Sequence, residues 1–148
     1  MHNSGSLALN SRKQQHTILC NINARSVKNK TAEIVDYICE TKADLVAVTE
    51  HWLTVSDSAC RTELCPNGYK IVDHVRSDRR GGGTGLIFRE AFDVKKVEAG
   101  VSDGNSYEFS EWLIKWSSHN LRIVIIYRPP YSVNHRVSFS VFLSEFPK

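Results

Sequence analysis

Four consecutive apolar residues, Leu45-Val46-Ala47-Val48, are bounded by polar positions and are too few for a helix, so they predict a strand buried on both faces. Upstream, Thr17 to Ile22 forms a second short apolar segment closed by Asn23-Ala24-Arg25-Ser26, a first strand followed by a polar turn. Between the two lies a helical period. Val27, Thr31, Ile34 and Ile38 fall at i, i+4, i+7 and i+11, Val35 and Cys39 widen the stripe, and Lys28, Lys30, Glu33, Asp36 and Glu40 take the other face. Thr41-Lys42-Ala43 closes this helix. Strand, helix and strand in that order make a βαβ unit with parallel strands. If the two strands are neighbours, their carboxyl ends lie about 5 Å apart, and Asn23 meets Glu50, the carboxylate just past the central strand.

Further along, Leu53 to Arg61 is polar and irregular, and Pro66-Asn67-Gly68-Tyr69 is a turn signal. Lys70-Ile71-Val72 starts a strand interrupted by Asp73 to Arg80; Leu86-Ile87-Phe88 and Val94 to Val97 read as two more, and Val101 to Ser106 as a loop. Phe109, Trp112, Ile114 and Trp116, then the Ser117-Ser118-His119-Asn120 turn, then Leu121 to Tyr127 predict a hairpin. Its second strand is the most apolar of the chain and leaves the sheet at Pro129-Pro130, because proline cannot continue a ladder. Phe139, Phe142, Leu143 and Phe146 fall at i, i+3, i+4 and i+7, an amphipathic helix stopped by Pro147. A further strand would normally follow such a helix, so the sequence reads as cut, and Met1 to Gln15, rich in Ser, Asn and basic residues, as a loose leader.

Composition adds that 148 residues, 41% hydrophobic and 24% charged, suffice for one globular core. The longest uncharged apolar run, Ile123 to Tyr127, is far short of the roughly 20 residues of a membrane span, and no basic leader opens the chain; no membrane and an intracellular setting are expected. Cys20, Cys39, Cys60 and Cys65 contain no CxxC pair. A zinc site of Cys60, Cys65, His51 and His74 fits no standard spacing, and free thiols are the expectation. Net charge is +3. Lys70 to Lys96 holds seven basic residues against four acidic ones, which accounts for the whole excess; this is either a surface for a polyanion or a solvated face of mixed charge.

Two further stretches bear on chemistry. Gly81-Gly82-Gly83-Thr84-Gly85 lacks the Lys-Ser/Thr of a P-loop, and a strand rather than a helix follows. A hairpin turn or bulge that brings backbone close to a neighbour is favoured over a phosphate cradle. At the exit of the last hairpin strand stand Tyr127 and Arg128, the latter a donor suited to phosphate.

Asn23-Ala24-Arg25-Ser26, Ala43 to Leu53, Gly81 to Leu86 and Ile126-Tyr127-Arg128-Pro129-Pro130, in that order, resemble the endonuclease domain of non-LTR (LINE-type) retrotransposons, within the endonuclease/exonuclease/phosphatase superfamily. The resemblance covers roughly residues 16 to 148 and only the amino-terminal half or so of such a domain. It implies an α/β fold, part of a four-layer sandwich of two mixed sheets flanked by helices, and Mg²⁺- or Mn²⁺-dependent hydrolysis of a DNA phosphodiester in the nucleus. The nick would supply a 3′ hydroxyl for reverse transcription of the element's RNA. Glu50 matches the metal-binding glutamate, Asn23 the asparagine beside it and Tyr127 the tyrosine that contacts the scissile phosphate. Arg25 and Arg128 would clamp the nucleic-acid backbone, and the basic Lys70 to Lys96 region would flank the duplex. No Gly-Asp-x-Asn motif and no Asp-His pair follows Tyr127, so a truncated copy with little or no activity is expected. A non-catalytic nucleic-acid-binding remnant and a phosphoesterase of the same superfamily acting on another phosphate ester are the alternatives.

Overall fold

A computed structural model describes residues 16–78, 80–102, 106–129 and 138–145; the expected leader at 1–15 lies outside them. Its strands are β1 (Leu19–Asn23), β2 (Leu45–Thr49), β3 (Tyr69–His74), β4 (Thr84–Arg89), β5 (Asp93–Val101), β6 (Glu108–Trp116), β7 (His119–Arg128) and β8 (Ser138–Glu145), and its helices are α1 (Thr31–Thr41) and α2 (Ser58–Glu63). Two four-stranded sheets result, ordered β1-β2-β4-β3 and β5-β6-β7-β8. The first is mixed, because β1 and β2 run parallel across α1 while β4 is antiparallel to both β2 and β3. The second is an antiparallel meander, with a bulge in β5 between Lys96 and Glu98.

Every side chain of β2 is buried, as the unbroken apolar run requires. Leu45 and Ala47 turn toward the second sheet and pack with Leu86, Phe88, Trp112, Ile114, Ile123 and Ile125. Val46 and Val48 turn the other way, onto Ile34 and Ile38 of α1, Leu64 and Ile87. Burying each large aliphatic chain stabilises the fold by about 1.5 to 3 kcal/mol relative to exposure, so β2 anchors both cores. The order is therefore helices, mixed sheet, antiparallel sheet, and the α/β class is as expected.

Several expectations are corrected. Ser138–Glu145 is a strand, paired along its length with β7 from Leu121↔Glu145 to Arg128↔Ser138, and not an amphipathic helix. The segment Ser-Phe-Ser-Val-Phe-Leu-Ser-Glu also carries a two-residue period, and a ten-residue β7 would otherwise leave a long edge of unpaired backbone groups. Part of the polar stretch read as irregular forms α2, begun after Asp57, whose carbonyl accepts from Arg61 N–H at 3.1 Å. Cys39 lies on the exposed side of α1 and does not widen its apolar stripe. The basic stretch is not one face: Lys70 and Arg89 stand at the end of the first sheet where Tyr69 pairs Arg89, and Arg89 is bound there to Asp44 at 2.7 Å.

Candidate functional site

Parallel pairing in register sets Asn23 opposite Thr49, which places the residue after β2 at the same rim. Beyond the strands the ladder continues into the loops. Ala24 N–H donates to the Thr49 carbonyl at 2.9 Å, Ser26 N–H to that of Glu50 at 2.8 Å and Val27 N–H to that of His51 at 3.1 Å. Four non-glycine residues here have left-handed backbones, Arg25 (φ 47°), Ser26 (φ 78°), Glu50 (φ 54°) and Trp52 (φ 59°). Such conformations cost of order 1 to 3 kcal/mol each and persist only where the surroundings enforce them, as at ligand-facing sites.

Two residues of the second sheet reach this rim. Glu108 and Tyr127 face each other across the β6–β7 ladder, and each crosses to the first sheet. The Tyr127 hydroxyl donates to Glu50 Oε1 at 2.5 Å, a short bond of the charge-assisted kind. Glu108 accepts from Gly83 N–H through Oε1 at 3.0 Å and Oε2 at 3.2 Å. Burial, followed by the bond to Glu50 and that carboxylate's charge, raises the Tyr127 phenol far above its ordinary value, so it stays a donor. Burial also raises the Glu108 carboxyl, against the opposing pull of Gly83 N–H and the Arg76 charge.

The glycines allow this approach. A Cβ on Gly82 would sit 2.7 Å from Arg76 Cδ and 2.8 Å from Glu108 Oε1, and one on Gly83 would sit 2.2 Å from His51 Cε1. Close backbone approach is thus their role, although the link from β3 to β4 is longer than a hairpin turn.

His51 is fully buried and fixed in one tautomer. Leu53 N–H donates to Nδ1 at 2.8 Å, so Nδ1 is unprotonated, and Nε2–H donates to the His74 carbonyl at 3.1 Å. Burial lowers its pKa, partly offset by Asp73. Both ring nitrogens being engaged, the zinc arrangement with Cys60, Cys65 and His74 does not form. Among the described residues no three of His, Cys, Asp and Glu gather as metal ligands. The Asp73-His74 pair on β3 is structural as well, with Asp73 held by Arg61 through bonds of 2.8 and 2.9 Å.

The amide oxygen of Asn23, Oδ1, is buried without a hydrogen-bond partner among the described atoms. A buried polar oxygen left unsatisfied costs about 1 to 3 kcal/mol, and a cation would relieve it. One carboxylate and one amide oxygen on adjacent strand ends suit a hard ion such as Mg²⁺, which takes few protein ligands and completes its shell with water and phosphate oxygens. They do not suit zinc, which favours nitrogen and sulfur donors.

Of the five residues singled out in the sequence, the structure brings three to this rim, while Arg128, next to Tyr127 in an extended strand, leaves on the opposite face of its sheet. Glu50 and Tyr127 are in contact, and Asn23 is paired to the strand that carries Glu50. Arg25, in the loop after β1, and Arg128, the last residue of β7, are exposed. Glu108 and Arg76 were not singled out. The four-residue turn expected at Ser117 to Asn120 would set Ser110 opposite Tyr127; His119 and Asn120 instead belong to β7, and the shorter turn sets Glu108 there.

No protein-family model matches the chain, and no curated protein matches it. Among solved structures it is similar to truncated Caenorhabditis elegans TDP2, at 17% identity and a TM-score of 0.48 over 68% of this chain and 41% of that one. It is also similar to the AP endonuclease LMAP from Leishmania major, at 15% identity and a TM-score of 0.46 over 88% of this chain and 39% of that one. The chain thus spans about two fifths of either protein.

Proposed function

We propose that this rim is the metal- and phosphate-holding part of a divalent-cation-dependent phosphodiesterase that acts on DNA, of the kind found in LINE-type retrotransposons. The observation that carries the reading is the convergence of Glu50 and Tyr127 from two sheets beside the Asn23 oxygen, which has no partner among the described atoms, and four ordered stretches of sequence that resemble those endonucleases support it. Glu50 and Asn23 would hold Mg²⁺ or Mn²⁺, which when bound withdraws charge from a phosphate oxygen. The Tyr127 phenol keeps its proton and can donate it to a non-bridging oxygen as charge builds there. Arg25 and Arg128, both exposed and both next to strand ends, would bind flanking phosphates, where a guanidinium fork matches phosphate geometry.

The candidate bases among the described residues around Glu50 are all engaged: His51 through both ring nitrogens, Asp73 by Arg61 and Glu108 by Gly83 N–H. A positioned base contributes about 10²- to 10⁴-fold, and the engagement of all three favours weak cleavage by this chain. That observation also supports a second reading, a segment that binds nucleic acid without cutting it.

Supercoiled plasmid incubated with the chain and Mg²⁺ or Mn²⁺ tests both. Slow nicking that is abolished by EDTA and by Glu50→Ala is expected. Nicking that survives Glu50→Ala contradicts the proposed site, and salt-sensitive binding with no nicking at all favours the second reading.

A further inference from the structure

Immediately beside the Glu50 rim lies a groove of about 440 Å³, lined by Ser26, Lys28, Trp52, Arg76, Arg80 and Gly81 among others. Trp52 is the one aromatic residue among those lining it. A large aromatic at positive φ is a strained choice, yet Trp52 N–H is tied to the Gly82 carbonyl at 2.9 Å and the indole lies over Gly81, where a Cβ would meet Cε2 and Nε1 at 3.4 Å. The backbone holds the ring in place while 40% of the residue stays in solvent. By contrast, Trp112, with 2% exposure, is a core residue.

Three basic residues line the same groove. Lys28, paired with Asp57 at 3.1 Å, and Arg76, paired with Asp78 at 2.7 Å, line the groove with exposed Arg80. Arg76 also faces inward, since its charge acts on both Glu108 and Tyr127. The groove and the carboxylate cluster therefore share a wall. Glu50 and Trp52 are two peptide units apart, at most about 7 Å, so a nucleotide whose phosphate reaches Glu50 brings a base within reach of the indole.

Resting on the phosphodiesterase reading of the rim, we infer that this groove is a subsite for an unpaired nucleotide, with a base stacked on Trp52 and adjoining phosphates on Lys28, Arg76 and Arg80. An exposed, backbone-clamped aromatic in a groove lined by basic residues suits base stacking, and stacking requires a base face that a closed duplex does not offer. The chain should thus prefer single strands, frayed ends or an extruded base over intact duplex.

A fluorescein-labelled ten-nucleotide oligo(dT), titrated in EDTA, isolates this subsite from any metal chemistry. Expected are tighter binding of the oligonucleotide than of a blunt duplex of the same length and an affinity loss of roughly tenfold or more in Trp52→Ala. Trp52→Phe, which keeps a ring, should retain most of the affinity, and Arg80→Ala should flatten the salt dependence by about one phosphate contact. No binding of oligo(dT) by the wild type, equal binding by Trp52→Ala, or a preference for blunt duplex overturns the inference. The titration in EDTA reads the groove without any metal held at Glu50. Trp52-dependent binding in a chain whose metal uptake ignores Glu50 would therefore contradict the phosphodiesterase alone, and the converse result would contradict the groove alone.

Discussion

The Tyr127 phenol and the Glu50 carboxylate, separated by 77 positions in sequence, meet through a hydrogen bond of 2.5 Å that joins the two sheets at one rim. Around it the structure gathers Glu108, Gly83 and the amide oxygen of Asn23, which has no partner among the described atoms. What the site can do depends on this bond and on the glycine backbone that lets the sheets approach.

Tyr127→Phe removes the phenolic donor without changing the shape of the core. Hydrogen bonds to charged groups contribute about 1.5 to 3 kcal/mol. Urea denaturation should show a loss within that range, and a loss below about 0.5 kcal/mol would mean that the bond does not hold the rim together in solution.

Gly83→Ala should be among the most damaging single substitutions in the chain. Its φ is +91° and the new Cβ would overlap the His51 ring at 2.2 Å, a fixed and buried obstacle, so about 3 kcal/mol or more should be lost. Gly100→Ala is the control, because nothing lies within 4 Å of a Cβ there; its effect should stay within about 0.5 kcal/mol. Equal melting of the two variants would contradict the packing described for Gly83.

His51 makes stability depend on pH in a defined direction. Burial lowers its pKa in the folded state, so the unfolded chain binds the proton more readily. The stabilisation is complete above the ordinary imidazole value of about 6.5 and is lost as pH falls through that value toward the folded pKa. His74 shifts the same way and Glu108 the opposite way, so the assignment needs a variant. Denaturation midpoints at pH 7.5 and 5.5 should differ less in His51→Gln than in the wild type; an unchanged difference would place the titration elsewhere.

Much of this was legible in the sequence wherever one period dominated. The apolar run of β2, the helical stripe of α1 and the prolines after Tyr127 place Asn23, Glu50 and Tyr127 at strand ends, whereas the turn before β7 proved two residues shorter than expected. Phe139, Phe142 and Leu143 satisfied both a helical and a two-residue period, and only the unpaired edge of β7 decides for the strand. Residue spacing does not carry that information. The same holds for Glu108 and Arg76. Each is one charge among many in the sequence, and their importance comes from a sheet-to-sheet approach that Gly82 and Gly83 permit by lacking a side chain. Charge counting left two readings of Lys70 to Lys96 open for the same reason, since Arg76 and Arg89 lie close in sequence while Arg89 is bound to Asp44 at the far end of the sheet.

Binding of Mn²⁺, followed by water-proton relaxation in the absence of DNA, tests most directly whether this rim holds a divalent cation. Uptake that Mg²⁺ competes away and that weakens at least tenfold in Glu50→Gln, with circular dichroism unchanged, is the expected result. Equal Mn²⁺ affinity in the wild type and Glu50→Gln would contradict it.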